Sequence, residues 1–166
     1  MTFYLRTAGK ADLPAVKQLL AVTWHDTYDA LYGVEKVNDL TTRWHSLEAL
    51  QKRLTMPNSE FVVADDGTHL LGMAYAQMEG KDVKLHQLYV LPGHQGEGIG
   101  QALLSEVMDC FPEATTISLE VDEDNVKALG FYKRNGFEPK GKASDCGNNG
   151  DRIPAQILSR NLQLNS

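Results

Sequence analysis

The sequence predicts a mixed α/β fold of the α+β kind, with a central sheet of six to seven strands flanked by about four helices. Three patterns carry this prediction: apolar residues at helical spacing, short apolar runs, and glycine or proline at the boundaries. Along the chain they give the order β-α-α-β-β-β-α-β-α-β-β. Such an order predicts a mixed sheet with helices on both faces.

The N-terminal part of the chain predicts one strand and two helices. The strand covers residues 3–6, and the first helix begins after Asp12, with Pro14 in its first turn, where proline is tolerated. The aromatic segment Trp24–Gly33 is expected to interrupt regular helix. A second helix begins at Ser46, which can cap it.

The remainder of the chain predicts alternating strands and helices. Strands are expected at residues 61–64, 70–75, 83–91, 116–121, 137–142 and 153–160, and helices at residues 99–111 and from Asn125. Gly136 supplies the left-handed residue that ends the last helix. Phe137 is expected to fold back onto the last turn of that helix.

Length and composition indicate a globular protein. The chain has 166 residues, of which 42% are hydrophobic and 23% charged, so one domain spanning residues 1–166 is expected. No apolar run approaches the ~20 residues that cross a bilayer. The first residues lack the pattern of a secretory signal, so a cytoplasmic protein is expected.

The net charge and the cysteine content limit which partners and which metal or disulfide sites are expected. Sixteen basic against 22 acidic residues give a net charge of −6. This balance argues against nucleic acid or an anionic membrane as a partner, and it mildly favours cationic partners such as amines. Cys110 and Cys146 lie in no CxxC motif and near no histidine cluster, so neither a metal site nor a disulfide framework is expected.

A glycine-rich turn lies between the strand at 83–91 and the helix at 99–111. Gly96, Gly98 and Gly100 place backbone N–H groups where the helix begins, and these groups have no partner within it. A helix N-terminus also attracts anions, so the turn could bind a pyrophosphate. On the glycines alone, a simple helix-capping turn is an equal alternative. Their spacing fits neither GxGxxG nor a nucleoside-triphosphate loop.

Two segments resemble the signature of the GNAT superfamily of acetyl-CoA-dependent N-acetyltransferases. Residues 95–100 read Q-G-E-G-I-G and match [QR]-x-x-G-x-[GA], two residues after V-L-P. Further on, Asn125, Ala128, Phe131-Tyr132 and Gly136-Phe137 match the second motif, N-x-x-A followed by [FY]-Y-x-x-x-G-F. With the element order, the resemblance covers residues 3–161. It implies the GNAT fold, acetyl-CoA as co-substrate, no metal, and a homodimer as one option.

The resemblance also implies roles for individual residues. The turn amides would bind the pyrophosphate, the strand edge at Leu88–Val90 would pair with the pantetheine arm, and an amide near Val90 would polarise the thioester carbonyl. Tyr132 would be the general acid towards the leaving thiolate, with a core aromatic as the alternative. The implied cofactor contacts are Leu88, Tyr89, Val90, Gln95, Gly96, Glu97, Gly98, Ile99, Gly100, Gln101, Asn125 and Tyr132.

Attack by an amine requires its neutral form, which is only about four molecules per ten thousand for a lysine-like amine at pH 7. Glu120 is the candidate base, because its spacing to Tyr132 resembles that in the ribosomal-protein alanine N-acetyltransferases, where the glutamate is the base. An outward-facing strand carboxylate is the alternative. His86 is a second candidate base and an expected acceptor contact, unless it is only structural.

The acceptor groove is expected between the aromatic segment Trp24–Tyr32 and the closing strand pair, with Trp24 and Tyr28 contacting the acceptor or packing under the core. The resemblance implies direct transfer in a ternary complex, since neither cysteine falls on a motif position. The acceptor is expected to be a primary amine of a small molecule, such as a polyamine or amino acid. The alternatives are a protein N-terminal or lysine acetyltransferase and a non-catalytic acetyl-CoA sensor.

Overall fold

The computed structural model describes residues 2–143 and 155–162. In these residues it has seven strands: β1 Tyr4–Thr7, β2 Ser59–Asp65, β3 Leu70–Glu79, β4 Asp82–Val90, β5 Thr116–Asp122, β6 Glu138–Ala143 and β7 Ala155–Asn161. The α-helices are α1 Leu13–Tyr32, α2 Val34–Trp44, α3 Leu47–Leu54, α4 Ile99–Asp109 and α5 Val126–Arg134. Cys146 and positions 153–154 of the last expected strand lie outside the described residues.

The seven strands form one mixed sheet in the order β1-β2-β3-β4-β5-β7-β6. Neighbours are antiparallel except for β4 and β5, which are parallel and pair only through residues 82–84 of β4 and 116–118 of β5. Asp82 fastens this paired end, since its carboxylate accepts hydrogen bonds from the hydroxyls of Thr116 (2.7 Å) and Ser118 (2.6 Å). Beyond it the two strands part and leave an opening in the sheet.

Helices cover both faces of the sheet, as predicted. On one face α4 buries Ile99, Leu103 and Val107 in a cluster that also contains Tyr132 of α5. On the other face α1 and α3 pack against β2 and β3 through a second cluster that includes Leu20. Because successive strand residues point to opposite faces, the sheet separates these two layers and positions the opening between them.

The expected interruption of the first helix at Trp24–Gly33 is wrong, because α1 continues to Tyr32. Its aromatic residues recur every four positions and contact one another, with ring centroids 4.5 Å apart for the tilted pair Trp24–Tyr28 and 5.7 Å for the stacked pair Tyr28–Tyr32. These rings pack against the buried Val37 and Leu40 of α2, a helix that the sequence reasoning missed. Gly33, at φ +86°, makes the turn between the two helices.

Candidate active site

A cleft of about 1310 Å³ opens where β4 and β5 part. Its size is that of sites for sizeable small-molecule ligands. Most of the candidate site residues line it: Trp24, Tyr28, His86, Leu88, Tyr89, Val90, Gln95, Gly96, Gly98, Gly100, Gln101, Glu120, Asn125 and Tyr132. Two others do not: the side chain of Ile99 is 1% exposed in the core, and Glu97 lies beside His94 at the surface.

The glycine turn leads into α4 on one side of this cleft. Gly96 and Gly98 have φ of +86° and +84°, and Gly98 is the N-cap of α4. A Cβ at either position would meet nothing within 4 Å, so the space in front of the helix is open. In the described part of the chain, the amides of residues 95–101 donate no hydrogen bond to other backbone groups. This turn therefore fits an anionic group such as a pyrophosphate.

Gln95 connects the glycine turn to its neighbours. Its side-chain amide donates to the carbonyl of Val90 at 3.3 Å, and its side-chain oxygen accepts from Lys127 of α5. The turn is thus attached both to the end of β4 and to the helix that carries Tyr132.

Tyr132 is positioned by the way α5 ends. The amide of Phe137 donates to the Tyr132 carbonyl at 3.0 Å and that of Gly136 to the Lys133 carbonyl at 3.1 Å, which is a Schellman motif around the left-handed Gly136. Phe137 folds back edge-to-face onto the Tyr132 ring at 5.3 Å, as expected from the sequence. The C-terminal end of α5 therefore holds the Tyr132 ring in place.

Tyr132 lines the cleft with a phenol that can donate a hydrogen bond. The residue is only 7% exposed, and its hydroxyl bonds to no other described residue. Burial raises the pKa of this phenol above its ordinary value, with a smaller contribution from Tyr89. It stays protonated at neutral pH and can donate to a group that enters the cleft.

Glu120 lies on the neighbouring strand β5. Ile117, Leu119 and Val121 point into the core cluster beneath α4, so Glu120 points to the opposite face, where it is exposed and lines the cleft. Two residues on, the buried Asp122 accepts a hydrogen bond from Tyr32 of α1. The sequence reasoning did not single out this contact, which attaches the aromatic helix to the end of β5.

His86 is the extra residue of a β-bulge in β4. The pairing with β3 steps from Tyr75–Gln87 to Ala76–Leu85 and leaves His86 without a partner position. The His86 ring stacks on Tyr75 at 5.7 Å. Burial of the imidazole and the nearby Arg53 charge lower the pKa of His86, so this ring is neutral at pH 7.

The bulge also changes which face the rest of β4 presents. Val83 and Leu85 pack with the α4 cluster before the bulge, and Leu88 and Val90 do so after it. A regular strand would direct residue 87 to the same face as residue 85. Instead, Gln87 is 6% exposed and contacts His45 and Arg53, on the side of α2 and α3. Sequence reasoning found none of these three polar residues.

No other reactive group of the described residues points to different chemistry. In residues 2–143 and 155–162, no cluster of histidine, cysteine and carboxylate side chains could hold a metal ion. Burial raises the pKa of the Cys110 thiol to about 11, so this thiol is protonated at neutral pH and a poor nucleophile. No helix in the described part of the chain has the length and apolarity to span a membrane.

Comparison with known proteins agrees with this geometry. The Acetyltransferase (GNAT) family matches residues 19–137. The N-alpha-acetyltransferase RimI of Mycobacterium tuberculosis is 35% identical over 97 residues, which are 56% of this chain and 61% of that protein. The chain thus aligns with about three fifths of that relative's length.

Two solved structures share the whole fold. The PaiA N-acetyltransferase of Thermoplasma acidophilum, in complex with coenzyme A, superposes with a TM-score of 0.86 at 21% identity over 97% of this chain and 99% of that one. The ribosomal-protein-S18-alanine N-acetyltransferase of Escherichia coli gives a TM-score of 0.73 at 18% identity, over 99% and 97%. With the family match over most of its length, the chain belongs to the acetyltransferase (GNAT) family.

Proposed function

We propose that this GNAT N-acetyltransferase acts as a single cytoplasmic domain that transfers the acetyl group of acetyl-CoA to the primary amine of a small molecule. One observation carries the proposal. The open glycine turn, the Tyr132 phenol, which bonds to no other described side chain, and the exposed Glu120 carboxylate all line the same cleft between β4 and β5. An anion site, a proton donor and a proton acceptor thus lie together, which is what aminolysis of a thioester requires.

The donor half of the site consists mainly of backbone groups. The amides of residues 95–101 would hold the pyrophosphate, the edge of β4 at Leu88, Tyr89 and Val90 would pair with the pantetheine arm, and Asn125 would bond to that arm. Acetyl-CoA supplies the activated acetyl group. The GNAT family membership and the open space before α4 support this assignment.

Two side chains would handle the protons. Glu120 accepts the proton of the ammonium, directly or through water, so that the amine nitrogen can attack the acetyl carbon. The carbon–sulfur bond then breaks as the carbon–nitrogen bond forms, and Tyr132 gives its phenolic proton to the departing sulfur. The nitrogen returns its second proton to the Tyr132 oxygen, directly or through water, so that the products are the N-acetylated amine and free thiol. His86, neutral at pH 7, is the second candidate base. Because no cysteine on a motif position is available, transfer is direct.

For the acceptor, a small primary amine is favoured by the aromatic wall of α1, where Trp24 and Tyr28 line the cleft. The second candidate is the N-terminal amine of a protein. It is supported by the 35% identity to a protein described as an N-alpha-acetyltransferase. A non-catalytic acetyl-CoA sensor is less favoured, because a sensor has no need of a free phenol at Tyr132.

The test is a panel of amines and peptides with acetyl-CoA, read as free thiol, for wild type and Tyr132→Phe. The proposal expects Tyr132→Phe to lower kcat by about 10²–10⁴ and to leave the Kd of acetyl-CoA unchanged. Tyr4→Phe is the matched control, because Tyr4 is an exposed tyrosine that bonds to Asp65 on β2. If wild type released no thiol with any amine while binding acetyl-CoA, the sensor alternative would stand instead.

A further inference from the structure

Arg53 of α3 is a cation that has no anionic partner among residues 2–143 and 155–162. Its guanidinium lies over the ring of Tyr75 at 5.7 Å and donates to the Gln87 side-chain oxygen (2.8 Å) and the Trp44 carbonyl (3.1 Å). No carboxylate of the described residues lies within 4 Å of it. A guanidinium has five N–H groups, so three of them lack an acceptor in the described part of the chain. Such a desolvated charge is costly unless an anion joins it.

The hydrogen bond from Arg53 to Gln87 determines how the Gln87 amide is oriented and which ring nitrogen of His45 carries the proton. Because Arg53 can only donate, Gln87 must turn its oxygen towards it and its NH₂ group towards His45. The NH₂ group donates to Nδ1 of His45 at 3.1 Å, so the ring proton of the neutral histidine is on Nε2. Burial, together with Arg53, lowers the pKa of His45 to about 3, which keeps this ring neutral at physiological pH.

Three further N–H donors in this cluster have no acceptor. They are Nε2 of His45 and the indole nitrogens of Trp24 and Trp44, each shielded from solvent and without a hydrogen-bond partner in the described residues. His45 and Trp24 are 4% and 6% exposed, and the Trp24 ring lies 5.9 Å from His45 and 5.4 Å from Trp44. Natural proteins rarely leave several neighbouring donors unsatisfied, since each costs about 1–3 kcal/mol.

We propose that Arg53, with His45 and the two indoles, forms a subsite for a carboxylate carried by the acceptor amine. A carboxylate has the planar shape and charge that suit a guanidinium, and its oxygens can accept several N–H donors at once. All these side chains line the cleft that holds Tyr132 and Glu120. The rings must part slightly to admit the group, because their N–H atoms are shielded in this structure.

This inference rests on the proposed acetyltransferase function and specifies its substrate class. An amino-acid-like amine satisfies the subsite, whereas a polyamine would place further positive charge beside Arg53. The position agrees with the chemistry: Gln87, the residue that Arg53 contacts, directly precedes the β4 segment Leu88–Val90 proposed for the donor. A carboxylate bound to Arg53 would therefore lie beside Gln87, next to the part of β4 that is proposed to bind acetyl-CoA.

The experiment compares amines that differ only at the carboxylate. Free L-amino acids and their C-terminal amides are assayed with acetyl-CoA, together with spermidine, and kcat/KM is measured by thiol release. Wild type should prefer the acid over its amide by at least about tenfold. Arg53→Gln should lower kcat/KM for the acid by about 10–150-fold, the range for a lost charged hydrogen bond, and leave the amide within about threefold. Arg53→Lys should fall between.

Lys17→Gln is the control, because it removes the same charge from an exposed residue of α1 that does not line the cleft. Its acid-to-amide ratio should stay within about twofold of wild type. Trp24→Phe and Trp44→Phe keep an aromatic ring and delete one N–H, so each should raise the KM of the acid by about 3–10-fold without changing kcat.

Two results would overturn the inference and keep the acetyltransferase. One is equal or faster acetylation of the amides or of spermidine; the other is an unchanged acid-to-amide ratio in Arg53→Gln. Loss of all activity in wild type would instead contradict the proposed function. In that case binding at the subsite is measured by the thermal shift of the coenzyme A-loaded protein. N-acetyl amino acids should raise the melting temperature of the protein, and their amides should not. Equal shifts with the two would reject the subsite.

Discussion

The side-chain amide of Asn125 donates a hydrogen bond to the Tyr28 hydroxyl at 3.2 Å, across 97 positions of the sequence. The same asparagine caps α5, since its side-chain oxygen accepts from the Ala128 amide at 3.2 Å. The residue expected at the pantetheine arm is thus joined to the aromatic helix expected at the acceptor. One contact connects the two halves of the cleft.

We expect the two hydrogen bonds of Asn125 to make separately measurable contributions to the free energy of unfolding. Asn125→Ala removes both and should lower the free energy of unfolding by about 1–2 kcal/mol. Asn125→Ser keeps a capping oxygen but cannot reach as far, so it should cost about half as much. Urea unfolding measures both, and a double-mutant cycle with Tyr28→Phe should give a coupling of about 0.5–1.5 kcal/mol. Zero coupling would mean that the Asn125–Tyr28 contact contributes nothing to stability.

Gly98→Ala should weaken acetyl-CoA binding more than it weakens the fold. The backbone at Gly98 is left-handed, so alanine costs about 1–2 kcal/mol of stability there, but its Cβ meets no protein atom. That Cβ would occupy the open space in front of α4, so we expect the Kd of acetyl-CoA to rise at least about tenfold.

Gly67→Ala is the matched control for this prediction. Gly67 has φ +96°, and a methyl group at this position would again meet nothing within 4 Å. It lies in the turn between β2 and β3, outside the cleft. The variant should lose similar stability and keep the wild-type Kd in calorimetry. Equal losses of affinity in the two variants would remove the glycine turn from the cofactor site.

The features that local sequence predicted are those with local causes. The turn at Gly96–Gly100 and the helix end at Gly136 depend on residues within a few positions of one another. Gly136 is left-handed as predicted, and the amides of the turn donate to no other backbone group of the described residues. The second helix, α2, also carried a local signal that was missed. Its Val37, Leu40, Thr41 and Trp44 recur at i, i+3, i+4 and i+7, the spacing of a buried helical face.

The polar cluster of His45, Arg53 and Gln87 could not be predicted in the same way. Gln87 is 42 positions from His45 and 34 from Arg53, so their contact depends on how α2 and α3 pack on the sheet. It also depends on the bulge at His86, which turns Gln87 to the opposite face. A one-residue bulge has no reliable sequence signal, yet it decides which side chains meet.

Stability should decrease between pH 7 and pH 4 because His45 is buried as the neutral form. Its pKa is about 3 in the folded protein and about 6.5 when unfolded, so in this range the unfolded state binds the extra proton. Stability from this group is complete above pH 6.5 and is lost as the pH falls, by about 3 kcal/mol at pH 4. Urea unfolding at half-unit pH steps measures the loss.

His45→Asn separates this effect from other titrations, because it removes the ring and keeps a polar side chain beside Gln87. The slope of stability against pH should flatten in this variant, whatever its stability at pH 7. His86→Gln is the second control, since the pKa of His86 is lowered as well. If the slope of stability against pH stayed as in wild type in His45→Asn and became flat in His86→Gln, the pH dependence would belong to His86.

Glu120→Gln should lower kcat by about 10²–10⁴ at pH 7, the usual contribution of a general base, with the KM of acetyl-CoA unchanged. Glu120 is exposed on the cleft face of β5, where an acceptor ammonium can reach it. His86 is less suited to hold an ammonium, because it stacks on Tyr75 and lies near the Arg53 charge. We therefore expect His86→Gln to lower kcat less than about tenfold.

Glu123→Gln is the matched control, because Glu123 lies three residues further on and pairs with Lys142 at 3.5 Å outside the cleft lining. It should keep wild-type kcat. The two variants at the candidate bases give an independent answer when their kcat values are compared at pH 7 with saturating amine. If His86→Gln lowered kcat by about 10²-fold or more and Glu120→Gln by less than about tenfold, the base would be the bulge histidine. Glu120 would then serve only to attract the ammonium by its charge.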